Sequence, residues 1–252
     1  MRLLSNRVAM VTGASRGIGA AIARLFAKNG ARVVVHGRDK AALSSVQEDI
    51  QRGGGIATQA VADLTSFEEI EAMRREVEQA FGPIEILVAN AGGSFTKPGL
   101  LEEVSVEGWN ASIDGNLTAT FLTLKSILPG MKERKTGNIV TVSSAAGRRV
   151  HPQAPIPYSA AKAGIQILTQ IVAAQAGPFG IRVNCIAPET ILTERNQQRI
   201  PKTQQEALAE LHPVRRLGTP QDVADAALFL ASDESSWITG TVLDVTGGAV
   251  MV

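Results

Sequence analysis

Short apolar runs alternate along the chain with stretches in which apolar positions recur every three to four residues. Residues 7–12 (RVAMVT), 31–36 (ARVVVH), 56–61, 84–90 (IEILVAN), 138–144 (NIVTVSS), 181–187 (IRVNCIA) and 241–246 have the first character and predict strands. The second character predicts helices between them. Leu43, Val46 and Ile50 share one helical face, and Thr65 with Glu68 forms a capping box ahead of Ile70, Met73 and Val77. Thr219, Pro220 and Asp222 open another helix before Val223, Leu228 and Leu230. Nearly continuous apolar strands separated by helices imply a parallel sheet with both faces covered. The pattern therefore predicts a doubly wound α/β fold of seven parallel strands with helices on both faces. Its ligand site belongs beyond the carboxyl ends of the strands.

Composition narrows this picture. A chain of 252 residues with 44% hydrophobic content suits one domain spanning 1–252, and no stretch reads as a linker. A formal net charge of +1 argues against nucleic acid or an anionic membrane as partner. No apolar run approaches the ~18 residues of a membrane span. Asn6 and Arg7 interrupt the apolar N-terminus, against a signal peptide. One cysteine cannot form an intrachain disulfide, which suits a reducing cytoplasm, and Cys185, in an apolar strand, reads as an inert buried thiol.

Candidate chemistry concentrates at the strand ends. The first strand runs into Thr12-Gly13-Ala14-Ser15-Arg16-Gly17-Ile18-Gly19, before a helix with Ile22, Leu25 and Phe26. Glycines there permit a tight turn and bring backbone N–H groups close to a pyrophosphate at the helix N-terminus; a plain connection is the alternative. The second strand ends at His36-Gly37-Arg38 without the acid that grips the adenosine ribose in NAD-binding folds. Asp39 reads as a helix cap and His36 as structural. Arg16 and Arg38 could converge on a 2′-phosphate, which favours NADP(H) over NAD; as solvated loop residues they would carry no such meaning. Tyr158, the single tyrosine, precedes Lys162 by four positions in Tyr158-Ser-Ala-Ala-Lys162, so a helix puts both on one face. A neighbouring ammonium favours the phenolate and lowers a phenol pKa that is ordinarily near ~10. No metal-ligand cluster is predicted.

These motifs resemble the short-chain dehydrogenase/reductase family of the single-domain, Rossmann-type kind, and within it the 3-oxoacyl carrier-protein reductases. The matching stretches are TGASRGIG (12–19), Asp63-Leu64, NAG (90–92), Asn116, Ser143-Ser144, YSAAK, IRVNCIAP (181–188) and residues 216–240. The resemblance implies cofactor contacts at Gly13, Ser15, Arg16, Gly17, Ile18, Gly19, Arg38, Asp63, Leu64, Asn90, Ala91, Gly92, Pro188 and Thr193, with Tyr158 and Lys162 also touching the cofactor. Asp63 would accept from the adenine amino group; the alternative makes it a cap for the helix after Thr65. Ser144 would hold the substrate carbonyl, Tyr158 would exchange its proton, and Lys162 would lower the phenol pKa and hold the nicotinamide ribose. Asn116 would hold a water in a proton relay. Strand alternation turns Ser143 to the opposite face as a structural residue.

Departures from the family pattern lie around the substrate. Glu189 replaces a common glycine after Pro188, where it selects a polar substrate, alters the turn or faces solvent. The loop 147–158 carries Arg148, Arg149, His151 and Pro152, Pro155 and Pro157, and reads as a firm wall with a structural His151. Residues 189–212 resemble a mobile substrate lid. A basic patch at Lys132, Arg134 and Lys135 would suit a carrier protein, but Phe179 stands where some carrier-protein reductases have a base. The expected activity is hydride transfer between NADPH and a ketone or secondary alcohol, with 3-oxoacyl thioesters, a small alcohol, a sugar or a cyclic ketone as substrates. A catalytically silent nucleotide sensor or scaffold is the alternative from another class, and it conflicts with the intact Ser144, Tyr158 and Lys162. The family further implies a homotetramer pairing helices over 105–130 and 156–177 and the apolar C-terminus, Val245 to Val252.

Overall fold

The computed structural model describes residues 2–151 and 153–251; Pro152 and the terminal Val252 lie outside the described residues. Its elements follow the alternation in the sequence. They are β1 (Val8–Val11), α1 (Gly17–Lys28), β2 (Arg32–His36), α2 (Lys40–Arg52), β3 (Ile56–Ala60), α3 (Phe67–Phe81), β4 (Ile86–Ala89), α4 (Val106–Ile113), α5 (Ala119–Arg134), β5 (Gly137–Val142), α6 (Ile156–Ala176), β6 (Ile181–Pro188), α7 (Glu194–Arg199), α8 (Lys202–Glu210), α9 (Pro220–Ala231) and β7 (Val242–Val245). All seven strands pair in parallel, in the order β3-β2-β1-β4-β5-β6-β7. The order reverses direction at β1 and β4, where Ala9 pairs with Ile86, and so opens a crevice at their carboxyl ends.

Side-chain alternation sorts the sheet between two cores. Ala9, Val11, Val33, Val35, Ile86, Val88, Val140 and Ile186 pack with Ile22, Phe26, Leu43 and Val223 of α1, α2 and α9. Val8, Met10, Val34, Leu87, Ile139 and Val183 face the other way, onto Ile70, Met73, Leu124 and Met131 of α3 and α5. A strand buried on both faces needs no polar alternation, which is why the central strands read as unbroken apolar runs. Ser143 follows this alternation. It donates to Lys162 O at 2.7 Å and accepts from Gln166 Nε2 at 2.9 Å, as a structural residue should.

Three local expectations change. The cap of α3 is Ser66, whose hydroxyl accepts from Glu69 N, because Thr65 is already engaged by Asp63 Oδ1 through both its N–H and its hydroxyl. The helix expected over 105–130 runs continuously from Val106 to Arg134 but contains a π-turn at Asp114–Thr118 between α4 and α5. Pro155 and Pro157 belong to the helix that follows the loop, and Pro155 to the loop's wall as well. They are the N-cap and a first-turn residue of α6, where a missing N–H costs nothing. The capping box at Thr219 and Asp222 forms as expected. Among the described residues no helix is long and apolar enough to cross a membrane, and no cluster of His, Cys, Asp and Glu could hold a metal ion.

Candidate active site

A cleft of about 830 Å³ runs across the carboxyl ends of the central strands. Every residue assigned to the cofactor from the sequence lines it. The glycine turn shapes its floor. Gly13 and Gly17 have φ of +64° and +56°, a left-handed backbone that disfavours side chains. A Cβ on Gly19 would collide with the Gly13 carbonyl and stand 2.7 Å from Asn90 Nδ2. The N-cap of α1, Arg16, makes no capping bond, and no acid occupies the first turn. The first N–H groups of α1 are therefore left for an anion, so this cradle fits the pyrophosphate of a dinucleotide.

β1 is tied to β4 at this point by Thr12, whose hydroxyl accepts from both Asn90 N and Ala91 N at 3.0 Å. Asn90 Nδ2 in turn donates to Thr12 O at 2.9 Å. Asp39 caps α2 by accepting from Ala42 N, and it also closes on Arg16 at 2.6 Å. Arg16 thus already has an acid partner, whereas Arg38 lies exposed on the cleft with no ion pair among the described residues. Buried His36 donates from Nε2 to Ala62 O at 3.1 Å, and burial lowers its pKa to about 4. It is a neutral structural residue, although it also faces the cleft.

Asn116 sits on the π-turn, fully buried and lining neither of the cavities described here. Its amide donates to Gly93 O and Ser112 O at 2.9 and 2.8 Å and accepts from Gly93 N at 3.0 Å. That side chain braces the loop after β4.

Ser144 and Tyr158 line both the cleft and a second chamber of about 600 Å³. Ser144 Oγ accepts the Ala146 N–H at 3.2 Å, at the start of a single 3-10 turn after β5. Its own hydroxyl proton can be donated to the Tyr158 oxygen or to a ligand oxygen. Lys162 is buried and donates to Val142 O at 2.8 Å, with its ammonium 5.7 Å from the centre of the Tyr158 ring. Burial lowers the lysine pKa to about 8.

The phenol behaves contrary to the expectation from Lys162. Burial and the negative charge of Glu189 push the Tyr158 pKa above its ordinary value, and contact with the Ser144 hydroxyl only partly offsets them. Tyr158 is therefore protonated near neutral pH. Cys185 is buried beside Lys162, and burial raises its thiol, so it is the inert group expected.

The chamber is walled by His151 and residues 153–155 of the loop before α6, by the segment after β6, and by α7 and α8. Arg148 anchors that loop to β7 through a bidentate pair with Asp244 at 2.9 and 2.8 Å. Glu189 turns inward and meets His151 at 3.3 Å, so its carboxylate does not point to solvent. No spacing rule relates the two, and the pair became visible only in three dimensions.

The family model described as enoyl-(acyl carrier protein) reductase matches residues 13–250. The 3-oxoacyl-[acyl-carrier-protein] reductase FabG of Chlamydia muridarum is 39% identical over 247 residues, covering 98% of each chain. Glucose 1-dehydrogenase 2 of Bacillus subtilis is 37% identical, over 98% of this chain and 96% of its own. A crystal structure of a 3-oxoacyl-[acyl-carrier protein] reductase with bound NAD from Brucella melitensis superposes with a TM-score of 0.89 at 35% identity. It covers all of this chain and 95% of its own. With that fold, the glycine cradle and these full-length likenesses together, the chain belongs to the short-chain dehydrogenase/reductase family of oxidoreductases.

Proposed function

We propose that the protein is an NADP(H)-dependent carbonyl reductase in which Tyr158 is the general acid, or the base in the reverse direction. The observation that carries this reading is that Ser144 and Tyr158 stand where the cleft and the chamber join. A nicotinamide cofactor bound in the cleft supplies or accepts the hydride. Gly13, Ser15, Gly17, Ile18 and Gly19 hold its pyrophosphate, and Asp63 and Leu64 border its adenine. Asn90, Ala91, Gly92, Pro188 and Thr193 line its path. Ser144 donates to the substrate oxygen and orients it, and Tyr158 gives that oxygen its proton as charge develops. Lys162, held by the Val142 carbonyl, keeps a cation beneath the phenol and within reach of the ribose. A phenol raised by burial stays protonated near neutrality, which suits the reductive direction.

Arg38 supports NADP(H) over NAD, although the Brucella neighbour carries NAD. The relatives' names make 3-oxoacyl thioesters and sugars candidate substrates. Against docking of a carrier protein, Arg134 turns inward to Ile84 O at 2.9 Å and Lys132 stacks over Phe179 at 4.9 Å. Exposed Trp109, Phe121, Ile167 and Ile171 on α4 to α6 support the twofold assembly that the family implies.

The test is Tyr158→Phe, assayed by NADPH oxidation against a panel of ketones and 3-oxoacyl thioesters. Turnover falls roughly a thousandfold while NADPH binding is retained. Undiminished turnover would overturn the mechanism.

A further inference from the structure

Glu189 follows the proline that ends β6, and its side chain is only 8% exposed although it lines both cavities. One oxygen is occupied. Oε1 lies 3.3 Å from His151 Nε2 and accepts from Thr190 Oγ1 at 3.3 Å. The other, Oε2, is buried and has no protein partner. His151 Nδ1 accepts the Gln153 N–H at 3.3 Å, so the ring's proton is on Nε2 and points at Glu189.

Burial on its own would raise this acid. The hydrogen bond from His151, with the positive charge of Arg149 nearby, outweighs it and holds Glu189 below its ordinary pKa. The carboxylate is therefore ionised and can only accept hydrogen bonds. A buried acceptor left unpaired is costly, and a ligand hydroxyl entering the chamber is one source of the donor. The chamber's other charges restrict which donor. Arg195 and Arg199 line it with His151, so an ammonium is repelled and a neutral hydroxyl is accepted.

We propose that Glu189, held in place by His151, determines specificity by accepting a hydrogen bond from a hydroxyl group of the substrate. The chamber then takes hydroxylated carbonyl compounds and the corresponding polyols in preference to plain alkyl ketones and acyl chains. This rests on the carbonyl-reductase reading above.

Isosteric pairs test it: hydroxyacetone against butanone, and dihydroxyacetone against diethyl ketone. Methyl replaces hydroxyl at one end of the molecule in the first pair and at both ends in the second. Binding of each ketone is measured by titration into the NADPH complex of Tyr158→Phe, and kcat/KM in the wild type. The hydroxylated member is favoured by at least about tenfold in binding, with the difference carried in KM. Glu189→Ala abolishes the preference. Glu189→Gln keeps the bond from His151 and puts an amide donor where Oε2 was; a hydroxyl can accept from that donor, so a weakened preference for the hydroxylated member remains. Equal binding of both members by the Glu189-containing protein overturns the inference, as does a preference that survives Glu189→Ala. Binding that discriminates in Tyr158→Phe supports the inference even if turnover is undiminished, a result that would overturn only the Tyr158 mechanism.

Discussion

The two cavities that meet at Tyr158 are built by different means. The cleft is shaped by backbone: left-handed glycines at 13 and 17, a glycine at 19 that admits no side chain, and the free N–H groups of α1. Its few side-chain ties, such as Thr12 to Asn90, bind neighbouring strand ends to each other. The chamber is shaped by side chains from segments far apart in sequence, with Glu189 after β6 facing His151 before α6. A backbone cradle tolerates almost no substitution. A side-chain chamber can change its chemistry without disturbing the sheet, which lets one scaffold keep a cofactor while altering its substrate.

Substitutions on either side should show this asymmetry. The largest effect is expected from Gly19→Ala, whose new Cβ meets the Gly13 carbonyl. Overpacking at that point lowers cofactor affinity by about 100-fold, measured by fluorescence titration with NADPH. An affinity near wild type would mean that the cradle yields, and the contrast with the chamber would fail. Arg38→Ala comes next. It removes one guanidinium from the 2′-phosphate position and weakens NADPH about 30-fold while sparing NADH, as read from kcat/KM for the two cofactors. Equal losses for both would assign Arg38 a structural role.

The smallest effect belongs to the chamber side, where Glu189→Gln acts on protons. Glu189 raises the Tyr158 pKa, so removing its charge lowers it. Alcohol oxidation needs the phenolate and rises with pH through that pKa. The rising limb of the oxidative pH profile therefore moves to lower pH in Glu189→Gln. A limb that stays in place or moves up would show that the carboxylate does not act on the phenol.

The legibility of the sequence follows the same division. Strands such as 31–36 and 84–90 were readable because burial on both faces leaves uninterrupted apolar runs, and the glycine turn because its backbone geometry excludes other residues. The cofactor assignments at 12–19, 63–64 and 90–92 therefore fall on one cleft. Harder to read were features decided by competition between neighbours. Asp63 captured Thr65 and moved the helix cap to Ser66. A π-turn placed the Asn116 amide on Gly93. The Tyr158 pKa depended on burial and on Glu189, neither of which the four-residue spacing to Lys162 reveals. The pairing of His151 with Glu189 had no local signal at all.

Tyr158 is the single tyrosine of the chain, so tyrosinate absorbance reports on it alone. The most direct test of its role is a spectrophotometric titration of the enzyme–NADP complex beside the pH dependence of kcat/KM for alcohol oxidation by that complex. If Tyr158 carries the proton, the two transitions coincide, and both move down together in Glu189→Gln. A tyrosinate transition clearly separated from the kinetic one would contradict the account, because the proton that limits catalysis would then belong to another group.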